Sequence, residues 1–521
     1  MTEPSQPSVA RRVASGAGMM LLQRLGERLI GLVSFSLTAR LLAPADFGIF
    51  ALAISVLAVV EQLGRAGIDL ALIYRRDADR RDYDAAWSAN ILIGAAVAAI
   101  LGALAVPASL FFKEPRVALI LYFLAGGTFI AGLENIGIVD FQKSLDFKKE
   151  LTYRLLVRAF VAAATISAAL VWHNFTALVI GFVVGKVGLV GLSYLVHRYR
   201  PRFSLAAFTN IAAFSKWVLL RNIIAGLNDQ AATFTIGRLL IVDALAFFSA
   251  AREIAALATT EILAPVRRAQ FPGFAALGDD RAAFRRMYLD STGLSVMLGL
   301  PIPVGLSVVA GDFVRVLLGQ QWSAAVPLIP VLVLAGILSC FASGTQIVFL
   351  GLGQPRVTAY LAAVRFAVFI PALLFGAHAD GTMGIAWAIV ATATVIFFVN
   401  GFLTRRALQL RPGDQLRGCY RPIVASVVMF LVVTGLQSIL PRSAAIETVA
   451  FRLFASVAVG GVVYVSALCA LWFATKRPDG AERHALRAVQ GTLRRLRRSP
   501  AHPLVATATS GGNDRFPTNK G

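Results

Sequence analysis

Residues 17–40 read AGMMLLQRLGERLIGLVSFSLTAR, a stretch in which only Arg24, Glu27, Arg28 and Arg40 are charged. As an α-helix it rises about 36 Å at ~1.5 Å per residue, enough to cross a hydrocarbon layer of ~30 Å. Arg24, Glu27 and Arg28 stand at i, i+3 and i+4, on one face and roughly 10–16 Å from the start of the run. Side chains at that depth cannot all reach back to the interface. The helix therefore needs ionic partners or a watery cavity along that face.

Working outward, the rest of the chain repeats the pattern. Hydrophobic residues make up 57% of the 521, charged ones 15%, and the mean hydropathy is +0.71, a balance that excludes a water-soluble domain of this length. Apolar runs of spanning length fall near 17–40, 47–73, 86–111, 117–139, 151–172 and 175–197, then, after a polar break at 198–210, near 211–237, 244–266, 288–311, 325–350, 357–377 and 382–404, with a further pair near 422–440 and 449–473. The expected fold is an all-α polytopic membrane protein of about 14 transmembrane helices: two six-helix lobes plus two C-terminal helices. The expected divisions are a tail at 1–15, an N-lobe at 16–200, a C-lobe at 201–410, the last helix pair at 411–475 and a basic tail at 476–521. In that tail Leu486, Val489, Leu493 and Leu496 recur at helical spacing among arginines, as in a helix lying on an anionic leaflet, the other reading being a solvated tail, and the residues from Ala501 onward read as disordered. The N-terminus shows no cleavable signal pattern.

The net charge of +22 would suggest nucleic acid in a soluble protein, but here the basic residues gather in alternate loops. Arg75, Arg76, Arg80 and Arg81, then Lys143, Lys148 and Lys149, then Arg198, Arg200 and Arg202, and likewise the loops around Arg267–Arg286, at Arg356 and at Arg405–Arg421, belong to one set; the other set holds only Arg40, Lys113, Arg116, Arg238, Arg315 and Arg442. The positive-inside rule places the first set, and both termini, in the cytoplasm, and no nucleic-acid partner is expected.

Two short echoes suggest duplication. Ala39-Arg40-Leu41-Leu42 with Asp46 and Phe50 resembles Gly237-Arg238-Leu239-Leu240 with Asp243 and Phe247, and the stretch Thr152–Arg158 aligns with Ala359–Arg365. Six helices return a chain to its starting side, so the lobes should be parallel repeats with a substrate site between them near mid-membrane.

Intramembrane charge locates that site. Arg24, Arg28, Arg158, Arg252 and Arg365 are expected to line a cationic cavity, while Glu27, Glu61, Arg65, Asp229 and Glu253 serve ion coupling or structural pairing. Arg154, near the cytoplasmic edge, reads as an anchor that snorkels. Arginine stays charged and forks two parallel hydrogen bonds to phosphate, so a net cationic cavity favours an anionic, pyrophosphate-linked ligand. The five histidines and the cysteines Cys340, Cys419 and Cys469 show no metal spacing, and there is no P-loop. No enzyme activity, metal or cofactor is expected.

The stretch Thr38-Ala39-Arg40-Leu41-Leu42-Ala43-Pro44-Ala45-Asp46-Phe47-Gly48-Ile49-Phe50 resembles the signature after the first helix of bacterial polysaccharide-export flippases, in the multidrug, oligosaccharidyl-lipid and polysaccharide exporter superfamily. Further echoes follow at Phe141–Lys148, Ile236–Leu240, Leu318–Trp322 and Leu352–Arg356. Ala232 stands where the family pattern carries Asp, the nearest carboxylate being Asp229, and Ala43 where Gly is common. The resemblance implies flipping of an undecaprenyl-pyrophosphate-linked oligosaccharide across the bacterial inner membrane by alternating access, for lipopolysaccharide or exopolysaccharide assembly. Membrane lipids and the polysaccharide polymerase or export machinery are the implied partners. The other readings are a flippase for lipid-linked peptidoglycan precursor, a drug exporter, and a membrane oligosaccharide polymerase. Drug exporters of cations would want carboxylates in excess, and a polymerase would want a long outer loop.

Overall fold

The computed structural model describes residues 9–64, 72, 79–144, 146–204, 216–275, 280–342, 344–411, 413–441 and 445–475. In chain order the helices are α1 (Val9–Leu41), α2 (Pro44–Gly64), α3 (Arg80–Phe112), α4 (Arg116–Ala131), α5 (Val139–Lys143), α6 (Phe147–Trp172), α7 (Thr176–Val196), α8 (Lys216–Leu239), α9 (Val242–Ala275), α10 (Arg281–Gly299), α11 (Pro301–Leu317), α12 (Leu328–Phe341), α13 (Thr345–Gly351), α14 (Pro355–Leu408), α15 (Asp414–Ile439) and α16 (Ile446–Ala474), with 3₁₀ turns at Ile136–Ile138 and Gln320–Ala325. No strand occurs among the described residues.

Each of the fourteen apolar runs coincides in whole or in part with a described helix. Among the described residues nine helical stretches are long and apolar enough to cross a membrane, and α4, followed across a 65° bend by Ile136–Lys143, makes a tenth. The helices α1, α8 and α9 stand outside that set because they carry the intramembrane charges.

Polar groups set the helix ends. Asp79 and Asp82 form a reciprocal capping box at the start of α3, which closes at Lys113 in the left-handed region at φ 57°. Asp146 caps α6 and Asp280 caps α10. The expected straight run 117–139 is broken instead at Asn135. Its side chain accepts from the Gly137 N–H at 2.9 Å and donates to the Tyr199 carbonyl at 2.8 Å, bonds that a continuing helix could not make. The runs 357–377 and 382–404 meet at Asp380-Gly381, where the backbone leaves helical geometry. Either side of this turn Gly376 and Gly384 touch backbone to backbone; a Cβ on Gly384 would lie 1.9 Å from the Gly376 carbonyl oxygen, so only glycine allows the approach.

The helix pairings of the first half recur in the second. The pair α1 and α6 is matched by α8 and α14, α2 and α4 by α9 and α12, and α4 and α7 by α12 and α14. The halves meet where α2 packs on α8 and α9. A shared core forms there, with Ala39, Leu52, Ile236, Phe248 and Trp322 all fully buried. The Trp322 indole N–H donates to the Ala39 carbonyl at 2.9 Å, Gln321 donates to the same carbonyl, and Phe35, Phe47 and Phe247 ring the indole edge-on. This pins the α1–α2 corner of one half to the turn after α11 in the other, at the end opposite the basic loops.

Two polar fasteners lie outside that core. Arg452 of α16 forks onto Asp312 of α11, which also accepts from Gln437 of α15 at 3.0 Å. Asp312 is buried, so this ion pair binds the last two helices to the second half. Leaving α7, the strand-like segment 197–204 is tied to the first half. The Tyr199 hydroxyl donates to Asp84 at 2.7 Å, the Arg202 N–H donates to the same carboxylate at 2.7 Å, and His197 Nε2 lies 3.4 Å from Asp140.

Candidate functional site

The charged faces of α1, α6, α8, α9 and α14 open onto cavities rather than onto the apolar core. In the first half a cavity of about 410 Å³ lies among α1, α3, α6, α7 and the α4–α5 bend. Its polar wall carries Glu27, Asn90, Glu134, Gln142, Arg154 and Arg158. The carboxylates are held in place: Gln23 donates to Glu27 at 3.0 Å, the Tyr153 hydroxyl lies 2.7 Å from Glu134, and the buried Glu150 behind the wall accepts from Gln142 at 2.7 Å and Arg154 at 3.0 Å. Arg154, expected to reach for the membrane edge, is thus part of this wall. Arg158 makes no hydrogen bond or ion pair among the described residues. Its guanidinium packs on the bare backbone of Gly31, within 2.5 Å of where a Cβ would stand, and it borders a second cavity of about 350 Å³ against α1, α2 and α7.

The second half holds a cavity of about 450 Å³ among α8, α9, α12 and α14, with Asp229, Arg252 and Arg365 on its wall. Here cations outnumber carboxylates, and Thr259, Thr392 and Phe369 complete a largely apolar lining. Between the halves, a cavity of about 290 Å³ is bounded by Phe35, Phe47 and Ser55 on one side and Gln230, Arg252 and Glu253 on the other. Arg252 therefore faces both the second-half cavity and the space between the halves. Arg28 Nη1 reaches Glu253 Oε1 at 3.4 Å across that space, with both side chains about half exposed. Such a pair holds weakly and is free to exchange partners.

The structure brings Arg158 and Glu27 together in one half, and Arg252, Asp229 and Arg365 in the other, with Arg28 and Glu253 bridging them. Arg24 lies one turn before Arg28 without an ion-pair partner among the described residues. Glu61 falls on α2, and its expected partner Arg65 lies outside the described residues, as does the basic tail from Lys476. Sequence reasoning passed over Asn90, Gln142 and Tyr153. Uncharged residues in an apolar run give no signal of depth, and Gln142 sits in a segment that reads as loop. No group of three or more potential metal ligands occurs among the described residues.

Comparison with known proteins decides the family. Residues 37–327 match the model of the polysaccharide biosynthesis protein family, more than half of the chain. The chain belongs to that family. Its relatives include the succinoglycan biosynthesis transport protein ExoT of Rhizobium meliloti, 27% identical over 87% of this chain and 92% of that one. The teichuronic acid biosynthesis protein TuaB of Bacillus subtilis is 23% identical over 90% and 98%, and the lipopolysaccharide biosynthesis protein WzxC of Escherichia coli is 21% identical over 76% and 81%. Among solved structures, the lipid II flippase MurJ in an inward closed conformation superposes with a TM-score of 0.71 over 88% of this chain and all of that one, at 12% identity. An inward-facing multidrug resistance transporter of the MATE family, in the MOP superfamily, gives a TM-score of 0.55 over 74% and 95%, at 16% identity. At these identities the likeness speaks for the fold. This polysaccharide biosynthesis protein is a multi-pass membrane protein built on the same helical plan.

Proposed function

We propose that the protein flips undecaprenyl-pyrophosphate-linked oligosaccharide repeat units from the cytoplasmic to the periplasmic leaflet of the bacterial inner membrane, by alternating access. The observation that carries this reading is that Arg158 from one half and Arg252 and Arg365 from the other border cavities among apolar helices, while Arg28 pairs with Glu253 between the halves. Guanidinium groups held out of bulk water are suited to a pyrophosphate, each charge-assisted hydrogen bond contributing roughly 1.5–3 kcal/mol. Arg24, one turn from Arg28, extends the same face. Glu27, Asp229, Glu253 and the Glu61–Arg65 pair then balance or couple the charge.

In this reading residues 16–200 and 201–410 are the two lobes, 411–475 is the accessory helix pair, and both termini are cytoplasmic. The Trp322 seal then lies on the periplasmic side, so the cavities are reached from the cytoplasm. The protein transports without making or breaking bonds in the sugar unit, and a polymerase or export complex takes the unit over.

The test is export in a deletion strain. Loss of the protein should leave unpolymerised lipid-linked units on the cytoplasmic leaflet; their accumulation on the periplasmic leaflet would mark a polymerase instead. Arg24→Ala, Arg28→Ala and Arg365→Ala should abolish rescue while the protein stays in the membrane. Normal export in all three would sink the site assignment.

A further inference from the structure

We infer that the first-half cavity is a saccharide-reading subsite that shares only Arg158, at its border, with the arginines assigned to the pyrophosphate. The inference rests on the flippase reading and divides the labour within it. The four charged groups on the cavity wall, Glu27, Glu134, Arg154 and Arg158, cancel in formal charge, and the wall adds three carboxamides, Asn90, Gln142 and Asn135, the last committed to the bend. Carboxylates at close range repel a phosphate by roughly 1–4 kcal/mol per pair at ~4 Å, depending on local dielectric. They are good partners for sugar hydroxyls, which donate to carboxylate and amide oxygens and accept from amide and guanidinium N–H groups.

The wall also has unused hydrogen-bonding capacity. The Asn90 side chain makes no hydrogen bond among the described residues. Gln142 donates one amide proton to Glu150 while its carbonyl oxygen stays unbonded, and Arg158 offers its guanidinium without a partner. Glu27 uses one carboxylate oxygen on Gln23, leaving the other open. At about 410 Å³ the cavity is in the size range of small-molecule sites, ~300–1,000 Å³. It lies beside the α4–α5 bend and Lys143, the end read as cytoplasmic, where the glycosylated lipid arrives. The second-half cavity differs in balance: Arg252 and Arg365 outnumber Asp229, one carboxamide, Asn228, and the hydroxyls of Thr259, Ser339 and Thr392 are its other polar groups, and the remaining lining is apolar, which suits the pyrophosphate and the start of the lipid.

The experiment compares binding to the purified protein in nanodiscs of bare undecaprenyl pyrophosphate and of a panel carrying glucosyl, galactosyl or N-acetylglucosaminyl residues. At least one glycosylated probe should bind about tenfold more tightly than the bare one, the sum of one or two net hydrogen bonds. Asn90→Leu and Gln142→Ala should each cut that advantage to about threefold or less with bare pyrophosphate bound as in wild type, and Asn90→Leu, whose side chain holds no other group, should do so with the melting temperature unmoved. Arg365→Ala should weaken all probes alike. An advantage that survives both first-half substitutions, or a wild type that binds no glycosylated probe better than the bare one, overturns the subsite. A wild type that binds none of the probes overturns the flippase reading itself, and the subsite with it.

Discussion

In the first half Arg158 rests on Gly31; in the second its repeat counterpart Arg365 shares a cavity with Asp229, the residue that takes the place of Gly31 when the two Arg-Leu-Leu signatures are superposed. The helix pairings around the two sites correspond, yet one arginine has a carboxylate nearby and the other has backbone. Around Arg158 the compensating carboxylates come from elsewhere, Glu27 on α1 and Glu134 at the bend, and they come with amides. A recurring helix plan thus carries an arginine on α6 and on α14 in different surroundings, one of mixed polar groups balanced in charge and the other with cations in excess. The difference teaches that helix plan and cavity chemistry are set by separate residues, so each can be changed without the other.

The largest expected effect falls outside both cavities, whose linings take no residue from the last two helices. Arg452→Met leaves Asp312 buried without its counter-ion, which should destabilise the fold by about 3–5 kcal/mol. Thermal unfolding should show the loss, and the surviving folded fraction should still bind undecaprenyl pyrophosphate with wild-type affinity. Exchanging the divergent pair is the direct test of the comparison. Asp229→Gly should tighten the binding of bare undecaprenyl pyrophosphate by about tenfold, the order of one charge interaction in a partly wet cavity. Gly31→Asp should change it less, because the first half already holds carboxylates; equal and opposite effects would mean that the halves are chemically equivalent.

A smaller effect is expected at the bridge. Glu253→Gln frees Arg28 from a half-exposed ion pair of at most ~1 kcal/mol, so affinity for the same probe should rise by about fivefold or less. The smallest concerns the tether that leaves the first half. Burial holds the His197 imidazole below its ordinary value of 6.5, against the pull of Asp140 and with Lys149 and Arg200 adding to the depression. The folded tether then binds fewer protons than the released one, so its anchoring is full above pH 6.5 and is lost as pH falls through the depressed value. The protection of residues 198–204 relative to the intrinsic exchange rate at each pH should fall as the pH drops below 6.5, and His197→Gln should remove that loss of protection.

Much of this arrangement is written in local sequence. The apolar runs mark the helices because membrane helices satisfy their own backbone, and Arg24, Arg28, Arg158, Arg252 and Arg365 stand out because charge inside an apolar run has few structural excuses. The Asp380-Gly381 turn is legible as the gap between two runs. What is not legible depends on contacts across the chain. Asp312 and Arg452 lie 140 positions apart, and neither announces its partner. The bend at Asn135 is decided by Tyr199, whose carbonyl accepts its amide from beyond three further helices, α5, α6 and α7. Asn90 and Gln142 are passed over for another reason: an uncharged amide at one position of a run does not demand an ionic partner as an arginine does, and Gln142 falls outside the apolar runs.

Trp322 has no exposed surface, and its N–H is committed to the Ala39 carbonyl of the other half. Any movement that parts the α1–α2 corner from the turn after α11 must strip that bond and let water reach the indole. In a variant whose other five tryptophans are replaced by phenylalanine, the ring becomes an intrinsic optical gauge of the cycle: its emission should be blue and poorly quenched by iodide while the contact holds, and red and quenchable when the far side opens.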